Sequence, residues 1–226
     1  MSRREYGQAC SLASALDTIG ERWSLLIVRE LLLGPLRFSD LARSVGGAPT
    51  DVLTRRLRDL ENDGVVRRRK LGPPMAARVY ELTDVGRELE QPLLELGRWG
   101  LNFYRPEDAD GVEPSWLPNA LRIILRPPPE ATLVVQLHSE GHMAFLRIEG
   151  GAIAAERGEA ADPELVLSGR PREVLAALVV GDADEDAIEI EGSHEALTQL
   201  REMVDLPAPL RAEALARVVG VAVSPA

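Results

Sequence analysis

The stretch from Ser39 to Leu82, SDLARSVGGAPTDVLTRRLRDLENDGVVRRRKLGPPMAARVYEL, decides the fold. Within it, residues 50–62 read as a helix. Leu53, Leu57 and Leu60 fall at i, i+4 and i+7 on one side, while Asp51, Thr54, Arg55 and Arg58 repeat that spacing on the other. One side is core and the other is free to read a partner. A shorter amphipathic segment, residues 39–45, precedes it, with Ser39 as the expected N-cap, Leu41 and Val45 pointing inward, and Gly46-Gly47 turning the chain. Together these form a helix-turn-helix pattern. Gly64 ends the second helix, residues 65–70 read as a strand, 71–77 as a loop with a Gly-Pro-Pro tip, and 78–82 as a returning strand. Two strands behind a helix-turn-helix make a winged helix.

Working outward, the 226-residue chain is long enough for two ordinary domains, and the charge divides it. Residues 1–100 carry 16 Lys and Arg against 14 Asp and Glu, net +2; residues 101–226 carry 10 against 22, net −12. Overall acidity argues against a nucleic-acid partner, but phosphate binding depends on the local field. Residues 37–78 hold 10 basic groups against 5 acidic ones. The basic charge sits on the helix-turn-helix and its ribbon.

Upstream, Cys10 stands at the entry to a helix in which Leu12, Leu16 and Ile19 share a face, stopped by Gly20. A second helix over 22–33 is apolar nearly all round and is expected to be central and buried until Gly34-Pro35 breaks it. Downstream, Thr83 is an N-cap for a helix running to about residue 104, with Leu89, Leu93 and Leu96 on one stripe and Pro92 as a kink. Such a stripe outside a compact winged helix seeks a partner.

The exposed side of the 50–62 helix has a definite chemistry. Arg55 and Arg58 lie near its middle, and a guanidinium fork can pair with O6 and N7 of guanine in a major groove. Thr54 can touch a phosphate or a thymine methyl, and Asp51 either accepts from cytosine N4 or complements the positive helix N-terminus. Arg67, Arg69 and Lys70 on the wing strand, with Arg78 on the return strand and Arg37 at the helix-turn-helix entry, are candidate phosphate contacts. Strand alternation prevents all the wing cations from facing a duplex together. For any single arginine, the plain alternative is a solvated face.

These residues carry a resemblance. Cys10, Ala15-Leu16, Ile19-Gly20, Arg22-Trp23, Leu25-Leu26-Ile27, Arg29-Glu30-Leu31, Gly34, Arg37-Phe38-Ser39-Asp40-Leu41, Leu53-Thr54, Arg56-Leu57, Leu60-Glu61, Gly64-Val65-Val66-Arg67-Arg68, Tyr80-Glu81-Leu82-Thr83 and Gly86 are similar to the HxlR-type winged-helix transcriptional regulators over residues 8–103. The resemblance implies a homodimer joined through the first and last helices of the domain and bound to a two-fold operator in double-stranded DNA. The sequence departs from the family at Pro49-Thr50, where Ser-Pro is usual, which moves the expected cap of the reading helix to Thr50. Asp51 departs as well, placing a negative charge where a basic or neutral residue is commoner. Ser39 and Thr50, at the two helix entries, complete the expected DNA-facing set. Some relatives of this type sense oxidants through an N-terminal cysteine, which makes Cys10 a candidate redox sensor near Arg3 and Arg4. The alternative is a small residue buried in the dimer interface, since no second cysteine exists in the chain to resolve a sulfenate.

Residues 105–115 are an acidic Pro/Gly linker between a domain at 1–104 and another at 116–205, followed by a tail at 206–226. The second half reads as α+β: a helix near 116–125, strands at 131–138, 142–149, 152–156 and 164–168, a helix at 171–180, a strand at 187–191, and a last helix begun by Ser193. Glu140-Gly141 and Gly150-Gly151 signal hairpins. The order, with Asp162-Pro163-Glu164-Leu165 and Ile190-Glu191-Gly192 followed by Ala196-Leu197, resembles the sterol-carrier-protein type of domain. That resemblance implies a five-stranded sheet under helices enclosing an apolar cavity. Leu133, Val135, Leu137, Phe145, Leu146, Leu165, Leu167, Val174, Leu178, Ile188 and Met203 would line it and could hold an apolar or lipid-like effector, the alternative being an ordinary packed core.

The fold class expected is therefore α+β, an N-terminal winged helix-turn-helix followed by an α+β domain with a five-stranded sheet and helices. No catalytic motif, metal-ligand spacing or cofactor fingerprint accompanies it; His138, His142 and His194 read as surface residues. No apolar run of 18 residues and no signal-peptide core occurs, so a cytoplasmic protein without membrane contact is expected. Three readings follow. The first is an effector-responsive repressor or activator, the second a DNA-binding dimer whose C-terminal domain is only structural, and the third a lipid carrier with a secondary DNA-binding head.

Overall fold

The structure, a computed structural model, describes residues 5–72, 77–103, 113–180, 188–208 and 210. Chain contacts cluster into two compact units, about residues 1–93 and 94–226.

The first unit is built from α1 (Ser11–Ile19), α2 (Ser24–Leu32), α3 (Phe38–Val45), α4 (Thr50–Asn62), β1 (Val66–Lys70), β2 (Arg78–Leu82), α5 (Asp84–Arg87) and the first turn of α6 (Glu90–Gly100). Its core joins Ile27, Val28 and Leu31 of α2 to Leu41 and Val45 of α3, to Leu53, Leu57 and Leu60 of α4, and to Val65, Val66, Leu82 and Leu93. The i, i+4, i+7 stripe of α4 is thus its buried side. Gly46 and Gly47 both take left-handed φ values, +62° and +66°, and this lets two short helices turn sharply into one another. At the far end, the Val65 N–H reaches back to the Leu60 carbonyl at 2.9 Å and closes the helix at Gly64.

Several local expectations are corrected. Ser39 is not a cap: α3 starts one residue earlier, Arg37 holds the cap position with no side-chain bond, and the Ser39 hydroxyl turns to Asp40 at 3.4 Å. Thr50 is likewise the first helical residue of α4, with Pro49 at the cap; its extended conformation launches the helix without a side-chain acceptor. The single helix expected from 83 to 104 is interrupted between α5 and α6. Pro92 sits in the first turn of α6, where a missing N–H costs nothing, so it belongs to a helix start rather than to a kink within a longer helix. Thr83 does cap α5, accepting from the Gly86 N–H at 3.1 Å. Gly86 itself lies so close to the Val65 carbonyl that an added Cβ would stand 2.1 Å from that oxygen. α2 is central and largely buried as expected, Leu26 alone being exposed; Glu30 is fully buried beside Arg29 at 2.8 Å.

β1 and β2 pair antiparallel, Arg67 opposite Glu81, Arg68 opposite Tyr80 and Lys70 opposite Arg78. Leu36 adds a short third partner, exchanging both backbone bonds with Tyr80. The wing's base is therefore stitched to the chain that leads into α3.

The second unit holds α7 (Leu117–Ile124), β3 (Leu133–Ser139), β4 (His142–Glu149), β5 (Ala152–Arg157), β6 (Leu165–Gly169), α8 (Pro171–Val180), β7 (Ile188–Gly192) and α9 (His194–Glu202). The sheet has five strands in the order β5-β4-β3-β6-β7, with β3 and β6 parallel and the other pairs antiparallel. Register sorts its residues by side. Leu133, Val135 and Leu137 align with Ile148, Leu146 and Ala144 on β4, and Val135 and Leu137 with Leu165 and Leu167 on β6; all are buried together with Leu121, Val174, Leu178 and Leu200 of the helices. Ser193 caps α9 by accepting from the Ala196 N–H at 3.0 Å.

The opposite side of the sheet is mixed, with Val134 and Val166 beside polar and charged residues. It carries Gln136 and His138 of β3, Met143, Phe145 and Arg147 of β4, Glu156 of β5, and Glu189 and Glu191 of β7. Gln136 is 3% exposed there because its amide is fully used: Nε2 donates to the Ala144 and Gly158 carbonyls at 2.9 and 3.2 Å, and Oε1 accepts from the Ala160 N–H at 2.8 Å. Gln136→Ala strands those backbone groups and is expected to lower stability by about 1–3 kcal/mol, measured as a shift in the urea midpoint at unchanged slope.

Candidate nucleic-acid interface

α4 presents Asp51, Thr54, Arg55 and Arg58 on its exposed side, as its periodicity requires. Among the described residues, Arg55 and Arg58 carry no ion pair, so both forks are available to an incoming ligand. Arg56, between them in sequence, points elsewhere and is held by Glu21 at 2.7 Å and Asp59 at 2.9 Å. The Thr54 hydroxyl donates to the Thr50 carbonyl at 2.7 Å, so while that bond is made it has no proton for a phosphate; its acceptor sites and methyl remain. Asp51 lies in the first turn of α4, where a carboxylate complements the positive end of the helix dipole.

Register divides the wing cations into two sets. Arg67 and Arg69 share one side of β1, where the Arg67 Nε donates to Glu81 Oε1 at 2.8 Å and the Arg69 Nε lies 2.8 Å from Oε2. Lys70 and Arg78 form the cross-strand pair on the other side, both exposed and without ion pairs among the described residues. Arg68 shares that side; it pairs with Glu61 of α4 at 3.1 Å and lies over the Tyr80 ring at 5.3 Å. Arg37 and Ser39 are exposed at the entry to α3, and Thr50 at the entry to α4. The Gly-Pro-Pro tip expected between the strands falls largely on residues 73–76, outside the described residues.

Sequence reasoning missed Glu81. The signal was there: in Tyr80-Glu81-Leu82 the carboxylate alternates with apolar neighbours, and pairing Val66 with Leu82 places it opposite Arg67. It needed the hairpin register, which the wing loop obscures.

Away from the wing, Cys10 is exposed at the N-cap of α1, and the Arg3 and Arg4 expected near it lie outside the described residues. Leu12 and Leu16 of α1 are exposed, Leu12 by 67%. On α6 and the turn after it, Leu96, Trp99 and Phe103 are exposed as well, the last two 61% and 66%, their rings meeting edge-on at 4.8 Å. Of the eleven residues expected to line an apolar cavity, Leu133, Val135, Leu137, Leu146, Leu165, Leu167, Val174, Leu178, Ile188 and Met203 are buried. Phe145 is a correction. Cross-strand from Gln136, it belongs to the opposite side of the sheet, because side chains alternate along β4. His138 is half-buried, its Nδ1 3.4 Å from the Ser168 hydroxyl, whereas His142 and His194 are exposed. No helix among the described residues is long and apolar enough to cross a membrane.

A three-helix core carrying an exposed arginine-bearing helix beside a two-stranded ribbon defines a winged helix-turn-helix protein. Residues 18–108 match the HxlR-like helix-turn-helix family, and the chain belongs to it. An uncharacterized HTH-type transcriptional regulator of Synechocystis sp. is 34% identical over 107 residues, 47% of this chain and 78% of that protein. In Bacillus subtilis, the regulator YvaP is 37% identical over 97 residues, 42% of this chain and 89% of YvaP. YodB of the same organism is 31% identical over 97 residues, 43% of this chain and 87% of YodB. Each match covers less than half of this chain, and the family match ends at residue 108.

Proposed function

We propose that this chain is a sequence-specific, DNA-binding transcriptional regulator that acts in the cytoplasm as a homodimer on a two-fold operator. The observation that carries the reading is the exposed side of α4, where Arg55 and Arg58 stand unpaired among the described residues while Leu53, Leu57 and Leu60 anchor the helix in the core. Membership of a family whose relatives are named as HTH-type transcriptional regulators supports it. Arg55 and Arg58 read base edges; Thr50, Thr54, Ser39, Arg37, Lys70 and Arg78, with the Arg67 and Arg69 pair, position the backbone. The exposed apolar residues of α1 and of α6 are the surfaces a second copy would cover.

The second unit is proposed as a sterol-carrier-like domain that binds an apolar effector behind the buried side of its sheet. What supports this is the order of elements and the apolar residues gathered on that side. A structural module is the second reading, favoured by how completely Val135, Leu146, Leu165 and Leu167 are packed. Mass spectrometry of a denatured extract separates the two: a co-purifying lipid supports the sensor, whereas none, with no change in melting on adding fatty acids, supports the module.

The DNA reading is tested by titrating a labelled duplex from the chain's own genomic neighbourhood at several salt concentrations. Log affinity should fall with log salt at a slope of about −0.9 per phosphate contacted. Lys70→Ala should weaken cognate and scrambled duplexes alike and make the slope shallower by about 0.9, since an ammonium on the ribbon meets phosphate rather than a base edge. A chain that ignores every duplex at low salt would overturn the reading.

A further inference from the structure

Glu81 is an unusual residue to find in a ribbon that carries this much positive charge. Only 4% of it is exposed, although its neighbours across β1 are open to solvent. Burying a carboxylate is unfavourable unless both of its oxygens are paired, and both are. Oε1 takes the Nε of Arg67 and Oε2 meets the Nε of Arg69, each at 2.8 Å. Arg67 lies directly opposite Glu81 in the register, whereas Arg69 is a diagonal neighbour opposite Val79. One carboxylate therefore holds two guanidinium groups from alternate positions of the same strand.

Both arginines meet Glu81 through Nε, and their side chains stay 61% and 51% exposed. Among the described residues no other ion pair engages them, so each keeps its terminal nitrogens for a second partner. Residues i and i+2 of a strand are spaced by roughly 6.7 Å, so the two forks are held side by side at the scale of neighbouring phosphates on one strand of a duplex. We propose that Glu81 is a positioning residue that fixes Arg67 and Arg69 as a preset pair of phosphate-binding forks on the wing. The proposal rests on the DNA-binding reading and names the part of the wing that grips the backbone.

The alternative is that Glu81 merely neutralises a surplus of positive charge, and the two ideas predict opposite signs. Glu81→Gln keeps the shape of the side chain and makes the ribbon more positive by one charge. If Glu81 only neutralises, the variant binds DNA several-fold tighter with a steeper salt dependence. If it positions, affinity falls about tenfold despite the added charge, and the salt slope becomes shallower by as much as about 1.8, two phosphate contacts' worth. A second full-length variant, Arg67→Lys with Arg69→Lys, keeps every charge and the Glu81 carboxylate but removes the planar forks; it should lose affinity by a similar factor. Both are measured by anisotropy on the same duplex, with melting temperature recorded alongside. Falls in both affinities with melting retained support the proposal. Tighter or unchanged binding by Glu81→Gln, unchanged binding by the double lysine variant, or loss of binding only in proportion to lost folding overturns it. Failure of the unsubstituted chain to bind any duplex overturns the DNA reading itself and this inference with it.

Discussion

Replacing Arg55 and Arg58 together by alanine should reduce affinity for the cognate duplex by between about thirtyfold and about twenty-thousandfold, since each well-made fork discriminates by about 1–3 kcal/mol. Binding to a scrambled duplex should change far less. The geometry makes this the cleanest test of the interface, because neither side chain carries an ion pair among the described residues and neither is part of the core. The folded state should therefore melt as before. Each single substitution should relax preference at one operator position, read by titrating a panel of duplexes with one base pair changed at a time. A double variant that keeps the same ratio of cognate to scrambled affinity would remove α4 from the reading role.

The second large effect lies on the other side of the same helix. Leu57 is completely buried in the core of the first unit, and Leu57→Ala should cost about 2–5 kcal/mol through lost transfer energy and the cavity left behind. In a unit of this size that is a fall of on the order of 10 °C or more in its melting transition. Arg58→Ala, one residue further on, should stay within about 0.5 kcal/mol of the parent. Thermal melts of the two variants together test whether the sides of α4 are divided as described. Equal melting temperatures would mean that Leu57 is not part of the load-carrying core.

Glu81 shows why a wing cannot be read as a list of cations. Arg67, Arg68, Arg69 and Lys70 are consecutive, and composition alone makes them one basic patch. The fold makes three environments of them: two arginines on a shared carboxylate, one paired with Glu61 and lying over Tyr80, and one lysine across from Arg78. Contacts of such different kinds respond differently to the same substitution, which is why Lys70→Ala and the Arg67/Arg69 lysine variants are separate experiments.

The amino-acid order by itself determined the parts whose causes are local. Three leucines at helical spacing placed α4 at residues 50–62, paired glycines announced the turn before it and the β4–β5 hairpin, Glu140-Gly141 announced the β3–β4 hairpin, and Ser193 and Thr83 marked helix starts through their own hydroxyls. Four of the five strands of the second sheet were legible to within two residues at either end, and β4 in full, because alternation and turn residues act over a few positions. Ser39 and Thr50 failed as caps because Arg37 and Pro49 supply the extended conformation that a helix entry needs, with no side-chain bond. The tertiary structure alone decided what depends on distant segments meeting. It set which wing arginines Glu81 would hold, which side of the sheet Phe145 would join, and that Leu36 would stitch itself to Tyr80. Each of these rests on a strand register, and shifting a register by one residue moves every side chain to the other face while leaving local propensity unchanged.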